Sequence, residues 1–249
     1  MFDDSLIAQA RSLWQTLAVV PVAFPSGSGV QVVASPESQM CPPSWVGIVV
    51  LGNSAIVTVP TEHAVEPVQH ALSRIATESL TRPADLKTVL PVKAVLGPAT
   101  LAYVSRDSLV PAQPDVAVEW IAPEHPELQA FLESVGGEDA DESGIGEITS
   151  QAFVVRELGR IVAAAGYQQW PAATAHLCVL TAESVRGRGL ARRVAAAAVD
   201  HALTARLLPQ WRARPATSRR VARALGFWEM GTQLSVDLDL ARLLESDLS

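Results

Sequence analysis

The sequence has little cysteine, little tyrosine and no long apolar run. Its two cysteines, Cys41 and Cys178, lie far apart and form no CxxC pattern, which argues against a disulfide framework and a zinc site. No apolar run approaches the roughly 20 residues that cross a bilayer. The first residues, MFDDSLIAQAR, lack the positive charge that opens a signal peptide. We therefore expect a globular cytoplasmic protein with no metal ion and no membrane partner.

Positive charge is concentrated in one stretch of an acidic chain. The net charge is −7, yet residues 186–223 contain ten arginines and a single acidic residue, Asp200. Such a stretch indicates a local anionic partner or, alternatively, a solvated helix face. The P-loop pattern GxxxxGK[ST] is missing, and GxGxxG fails because Arg192 stands at the third glycine position. ATP, GTP and NAD are therefore weak candidates for that partner.

Composition divides the chain near residue 115. Residues 1–115 contain an amphipathic helix, a hairpin in WVGIVVLGNSAIVTVP, a second helix and a strand, which predicts a smaller α/β domain. In residues 116–249, a helix and the acidic segment GGEDADESGIGE come first, and we expect that segment to be a mobile loop. Two strands and then the order βαβαβ follow. This order predicts a mixed sheet covered by helices.

The segment AESVRGRGLARR joins an apolar strand, AHLCVLTA, to an alanine-rich helix. A glycine turn that opens directly into a helix directs backbone N–H groups at one point, where the helix dipole also favours an anion. Gly187 and Gly189 allow close approach and positive φ. The arginines beside them could pair with phosphate oxygens. The alternative is an ordinary tight turn between strand and helix.

The segment RGRGLA, Arg186 to Ala191, matches the [QR]xxGx[GA] motif of the GNAT acyltransferase superfamily, whose loop binds the pyrophosphate of acetyl-CoA. HLCVLT resembles the fourth strand of that family, LLPQWRA its fifth strand, and TSRRVARALGF the following helix and Gly-Phe turn. The resemblance covers residues 116–249 and implies an α/β (α+β) fold with a mixed, mostly antiparallel sheet flanked by helices. Residues 1–115 are then an N-terminal extension, and their position suggests a degenerate GNAT half.

The resemblance also implies the site residues. Acetyl-CoA would act as co-substrate, with no metal ion. The family often places its catalytic base near the start of the fourth strand, where His176 stands, and Glu147 is the reserve base; a structural histidine and a surface carboxylate are the alternatives. Cys178 is expected to be an inert core residue. The residues expected to bind CoA are Val179, Leu180 and Thr181 through their backbone, the loop residues Arg186, Gly187, Arg188, Gly189, Leu190 and Ala191, and Ser218.

Two positions depart from the family pattern. Pro215 replaces a frequent asparagine, and Ala222 replaces the tyrosine that often protonates the leaving thiolate. The resemblance implies an N-acetyltransferase acting on a small-molecule or amino-acid-like amine. The alternative is a GNAT-like acyl-CoA-binding sensor or scaffold with little or no turnover.

The partners follow from the same observations. A nucleic-acid site is disfavoured, because aromatic residues do not alternate with the arginines and the rest of the chain is acidic. We expect a possible homodimer through the edge of the last strand, QLSVDLDL.

Overall fold

The computed structural model describes residues 4–112 and 117–246, in two compact units. The first unit joins the described parts of Met1–Leu101 and Glu229–Ser249, and the second is Ala102–Trp228. The predicted boundary between residues 115 and 116 lies outside the described residues, and the domain assignment drawn there stays a prediction. The units place the last strand with the first hundred residues, whereas the sequence analysis assigned it to the second half.

Helices and strands alternate along most of the chain. The helices are α1 (Asp4–Leu17), α2 (Val65–Leu72), α3 (Pro83–Leu86), α4 (Pro126–Val135), α5 (Gly137–Ser143), α6 (Leu190–Thr204), α7 (Ala216–Ala224) and α8 (Leu240–Ser246). The strands are β1 (Gly29–Ala34), β2 (Val46–Leu51), β3 (Ser54–Val59), β4 (Val92–Tyr103), β5 (Glu119–Ile121), β6 (Ala152–Glu157), β7 (Arg160–Trp170), β8 (Thr174–Thr181), β9 (Leu208–Ala213) and β10 (Trp228–Leu238).

In the first unit the strand order is β1-β3-β2-β10-β4. The expected hairpin forms between β2 and β3, with Leu51 opposite Ser54 across a Gly-Asn turn. Every residue of β2 and β3 is buried, as the near-continuous apolar runs require. Ile48 and its neighbours pack against Val68 and Leu72 of α2 in one core cluster.

The last strand, β10, is an interior strand of the first unit. It pairs antiparallel with β2, from Gly231 opposite Leu51 to Val236 opposite Val46, and its other neighbour is β4. The prediction that this strand offers a free edge for a dimer is therefore wrong. Its apolar residues favour an interior position, because Leu234 and Val236 are completely buried.

In the second unit the order is β9-β8-β7-β6-β5. Neighbours pair antiparallel except β8 and β9, which are parallel. Helix α6 covers one face through Val194, Ala198 and Val199. Helix α4 covers the other face through Leu128 and Phe131. The predicted fold class, a mixed and mostly antiparallel sheet flanked by helices, is confirmed.

The acidic segment before β6 is ordered, contrary to the mobile loop that we expected. It forms α5 and a 3-10 turn at Ile145–Glu147. Asp139 accepts a hydrogen bond from Arg186 at 2.5 Å, and Glu142 accepts one from Arg214 at 3.0 Å. Ile145 is completely buried in the same core cluster as α4. Arginines distant in sequence thus neutralise the charges that made the segment look unable to pack.

Candidate functional site

Strands β8 and β9 separate part-way along their length. Their parallel register comprises Thr174 opposite Leu208, Ala175 opposite Pro209, and His176 opposite Gln210. Strand β8 continues to Thr181, still paired with β7 on its other side. In the described part of the chain, the register with β9 thus ends before residues 177–181, which leaves them as an open edge of β8. We call the opening between the two strands the fork; its narrow end is at His176 and its wide end at Thr181. An extended ligand can pair with such an edge as an added strand.

A chain of buried polar side chains closes the narrow end of the fork. Gln210 is 0% exposed. Its Nε2 donates to the Tyr103 hydroxyl at 3.2 Å, and its Oε1 lies 3.0 Å from His176 Nδ1. The His176 ring stacks on Trp170, with centroids 4.1 Å apart and planes within 12°. His176 is therefore held from two sides at the last paired position of the two strands.

His176 is neutral at physiological pH. Burial, the largest cause, and the positive charge of Arg212 together lower its pKa from 6.5 to about 4, although the hydrogen bond to Gln210 acts in the opposite direction. A neutral imidazole can accept a hydrogen bond, but it does not retain a proton near pH 7.

Glu147 and Cys178 lie near each other on the His176 side of β8. Side chains alternate along a strand, so His176 and Cys178 share the face that packs against α4, opposite Leu177 on the α6 face. Burial raises the pKa of Cys178 to about 12, and the charge of Glu147 adds to this shift. The thiol therefore stays protonated, which supports the core role expected for Cys178. Glu147 itself is exposed.

The wide end of the fork has an unsatisfied polar atom. Thr181 Oγ1 is buried and has no hydrogen-bond partner. The Thr181 carbonyl accepts from Arg186 Nε at 3.3 Å. Val179 is half-buried, whereas the Leu180 side chain lies in the core. The backbone is thus the part of Leu180 that a ligand could reach.

The glycine loop follows the wide end of the fork. Gly187 and Gly189 have φ of +81° and +78°, values that favour glycine, and a Cβ at Gly187 would meet no atom within 4 Å. Helix α6 begins at Leu190, and no acidic residue stands in its first turn. The first intrahelical bond there is Arg193 N to Gly189 O. The N–H groups of Leu190 and Ala191 precede it and can bind an anion.

The loop arginines bind acidic residues of the same unit. Arg186 pairs with Asp139, and Arg188 pairs with Glu157 through both guanidinium nitrogens, at 2.6 and 3.1 Å. Arg192 Nε is buried without a partner. The side chains of the Arg186 pair are 47% and 48% exposed. Exposed pairs of this kind are weak, and a more strongly charged anion could displace the carboxylates.

Ser218 joins α7 to β9. Its Oγ accepts a hydrogen bond from Trp211 Nε1 at 2.9 Å, and Trp211 packs edge-on against Phe227 in the core. A role for Ser218 in binding CoA stays a prediction. Ala222, at the position of the frequent family tyrosine, is buried.

Sequence reasoning found His176 but missed the residues that hold it. In the sequence, Gln210 is a lone amide between the apolar residues Pro209 and Trp211, and that position is the signal that could have identified it. Tyr103 and Trp170 carried no motif.

Neither metal ligation nor a membrane helix is evident in residues 4–112 and 117–246. No group of three or more His, Cys, Asp or Glu side chains is arranged to bind a metal ion. No helix in these ranges has both the length and the apolar character needed to span a bilayer.

Comparison with known proteins gives one family. Residues 141–232, which include the fork, the glycine loop and α7, match the family model described as GNAT acetyltransferase. These residues form a GNAT domain. The resemblance carried by RGRGLA is thereby confirmed. No curated protein matches the sequence.

Solved structures share the GNAT fold at low identity. A GNAT-family acetyltransferase from Colwellia psychrerythraea is 14% identical with a TM-score of 0.54, over 96% of this chain and 98% of that one. A GCN5-related N-acetyltransferase from Kribbella flavida is 16% identical with a TM-score of 0.53, over 96% and 97%. For a GNAT-family structure from Novosphingobium aromaticivorans, 22% identical with a TM-score of 0.47, the match covers 58% of this chain and 65% of that one, just under two thirds. The likenesses to the Colwellia and Kribbella structures establish the fold alone.

Proposed function

We propose that this protein is an N-acetyltransferase that moves an acetyl group from acetyl-CoA to an amine of a small-molecule or amino-acid-like acceptor. The observation that carries the proposal is the fork. Its open edge, residues 177–181, leads directly to a glycine loop and a helix N-terminus. An edge followed by an anion site suits a ligand with an extended amide-containing arm and a pyrophosphate.

The residues present fit acetyl-CoA. The backbone of Val179, Leu180 and Thr181 would hold the pantetheine arm, and the orphaned Thr181 Oγ1 would gain a partner. The open space at Gly187, together with the N–H groups of Leu190 and Ala191, would hold the pyrophosphate. Arg186 and Arg188 would supply the countercharge after leaving their carboxylate partners.

When bound, acetyl-CoA supplies a thioester carbonyl that an amine nitrogen can attack. A typical amine has a pKa of about 10.4 and is protonated near neutral pH. His176, held neutral, accepts a hydrogen bond from this ammonium group and orients it. Because the pKa of His176 is about 4, the proton does not remain there. Glu147, exposed to water on the same side of β8, would take this proton from the ammonium group through water and pass it to solvent. Ala222 has no acidic proton, so donation to the leaving sulfur falls to water.

The proposed acceptor is small for a structural reason. Helix α5 and the turn Ile145–Glu147 both contact β8, and Ile145 and Cys178 share a core cluster on the face that includes His176. This cover over β8 favours a small acceptor over a folded protein. The Glu147 carboxylate is exposed on this side of β8 and would attract a cationic amine.

Calorimetric titration tests the cofactor. We expect micromolar binding of acetyl-CoA and CoA, but not of ATP or NAD. Two variants form a matched pair, because Asn and Asp have the same shape and both tolerate positive φ. Gly187→Asp should bind acetyl-CoA at least about 10-fold more weakly than Gly187→Asn, since a carboxylate repels phosphate.

A screen of amines by release of free CoA thiol tests turnover. Release that depends on a small amine supports the proposal. Binding without release for any amine would identify an acyl-CoA-binding protein instead. Folded protein that binds neither acetyl-CoA nor CoA would overturn both interpretations.

A further inference from the structure

We propose that Gln210 is a positioning residue that fixes His176 in the tautomer protonated at Nδ1, so that Nε2 is the atom that accepts a hydrogen bond from the acceptor amine. The second half of this statement rests on the proposed N-acetyltransferase function. The first half concerns the folded protein alone.

The two ends of the Gln210 amide determine the tautomer. Its Nε2 donates to the Tyr103 hydroxyl at 3.2 Å, which leaves Oε1 facing His176 Nδ1 at 3.0 Å. A carbonyl oxygen can only accept, so Nδ1 must carry the proton. A neutral imidazole then has its free lone pair on Nε2.

The ring cannot easily exchange its two nitrogens by rotation. Trp170 stacks on it at 4.1 Å, and the Trp170 indole is itself fixed by donation to Gln168 Oε1 at 2.8 Å. Gln168 lies directly opposite His176 in the register of β7 and β8. In the part of the chain that the structure describes, Nδ1 has Gln210 as its partner and Nε2 has none.

The position of the pair in the fold gives it a role beyond packing. His176 and Gln210 are the last opposed residues before β8 and β9 separate. A completely buried glutamine is costly unless both ends of its amide are bonded. Here both ends of the amide are bonded, and the Oε1 end orients the titratable ring of His176 at the narrow end of the fork.

Burial and one nearby cation keep the His176 ring neutral. Arg212, two residues after Gln210 on β9, is the nearby cation that acts on it. From the turn before β6, Glu147 acts on Cys178, two residues along β8 on the same face. Arg214, which follows the end of β9, is paired with Glu142 of α5. Among the described residues no carboxylate bonds Nδ1 directly, so the amide of Gln210 sets the tautomer without charging the ring.

Nitrogen NMR of the histidine rings tests the tautomer directly. Long-range 15N–1H spectra distinguish protonated from unprotonated ring nitrogens, and comparison with His176→Asn assigns the His176 signals among the five histidines. At pH 7 we expect the Nδ1–H form in the unmodified protein. Gln210→Leu, which preserves size but removes the acceptor, should shift the ring toward the Nε2–H form.

A second variant protects this test against a folding defect. Tyr103→Phe leaves Gln210 in place but removes the hydroxyl that orients its amide, so the His176 signals should again move toward a tautomer mixture. An Nε2–H ring in the unmodified protein, as a reversed amide would produce, overturns the proposal. Identical His176 spectra in folded Gln210→Leu overturn it as well.

Kinetics test the second half. Gln210→Leu should lower kcat by roughly 10- to 100-fold with little change in KM for acetyl-CoA, as for other groups that orient a reacting side chain. Gln210→Glu keeps an acceptor at Nδ1 and should restore much of the activity while moving the acidic limb of the pH profile to higher pH. A purely structural role would change thermal stability without moving that limb. If acetyl-CoA does not bind at all, the proposed function fails while the tautomer result still stands.

Discussion

Each unit of the molecule contains a parallel strand pair, β1 with β3 in the first unit and β8 with β9 in the second, and these two pairs end differently. In the first unit, β1 pairs with β3 over its whole length, from Gly29 opposite Ser54 to Ala34 opposite Val59. In the second, β8 pairs with β9 over three positions and then continues without it. The same element of architecture therefore makes a closed sheet in one unit and a groove in the other.

The free backbone edges are also treated differently. In the first unit, Gln69 of α2 reaches the edge of β1, where its Oε1 accepts from Val32 N at 3.1 Å and its Nε2 donates to Val30 O at 3.2 Å. In the second unit, Arg186 reaches the carbonyl of Thr181 at the wide end of the fork. One edge is satisfied by its own unit, whereas the other is the edge at which we propose that acetyl-CoA binds.

The largest expected effect comes from adding a methyl group where the sheet is closed. A Cβ at Gly231, in β10, would lie 1.9 Å from the Val50 carbonyl oxygen. Gly231→Ala should therefore destabilise the protein by at least about 3 kcal/mol. Gly187→Ala, in open space but at positive φ, should cost only about 1 kcal/mol. Thermal and urea unfolding of the two variants measures the contrast, and equal small losses would contradict the difference in packing.

The second-largest expected effect is a pH-dependent loss of stability that arises in the second unit and not in strands β1 and β3. Strands β1 and β3 carry no titratable side chain, whereas β8 carries the half-buried His176, whose pKa is lowered from 6.5 to about 4. The unfolded chain binds the proton more tightly, so this contribution is complete above pH 6.5 and is lost as the pH falls toward 4.

His176→Asn removes this dependence. At pH 5 the difference amounts to at most about 2 kcal/mol. Between pH 7 and pH 5 the melting temperature should therefore fall further for the unmodified protein than for the variant. Parallel declines would show that His176 is not held neutral in the fork.

The covered edge of β1 gives a smaller effect. Gln69→Leu leaves the N–H of Val32 and the carbonyl of Val30 without their side-chain partner, at a cost of roughly 1 to 2 kcal/mol. Hydrogen exchange at Val32 should quicken more than in the middle of β2. A variant as stable as the parent would mean that water replaces the amide and that this edge is no better satisfied than the fork.

The smallest expected effect concerns the ion pair between Arg186 of the glycine loop and Asp139 of α5. Asp139→Asn releases Arg186 from its carboxylate and should strengthen acetyl-CoA binding by about 2- to 5-fold, the range expected for one exposed ion pair. Asp141→Asn, on the same helix, serves as the control for overall charge. Equal gains in the two variants would attribute the effect to net charge rather than to the pair.

Local patterns were sufficient to predict the elements that form the fork. The apolar run of β8, the two glycines and the helix after them are adjacent in sequence, so their order and geometry could be predicted. The β2–β3 hairpin was predictable for the same reason. The residues that bind phosphate in the proposal are therefore those whose structure is decided locally.

Contacts between distant residues could not be predicted in this way. Gln210 and Tyr103 are separated by 107 positions, and no periodicity indicates that their side chains meet. Helix α5 was taken for a loop because its partner arginines lie 47 and 72 residues further along the chain. The interior place of β10 depends on β2 and β4, which precede it by well over a hundred residues.

That place of β10 has a consequence for synthesis on the ribosome. Residues 102–228 leave the exit tunnel as a continuous segment, so the second unit can form while the rest of the chain is still being made. The first unit cannot be completed then, because β10, which lies between β2 and β4, is translated after the second unit. Until β10 is translated, the apolar edges of β2 and β4 lack the strand that pairs with both of them. A chaperone that shields these edges would act in this interval.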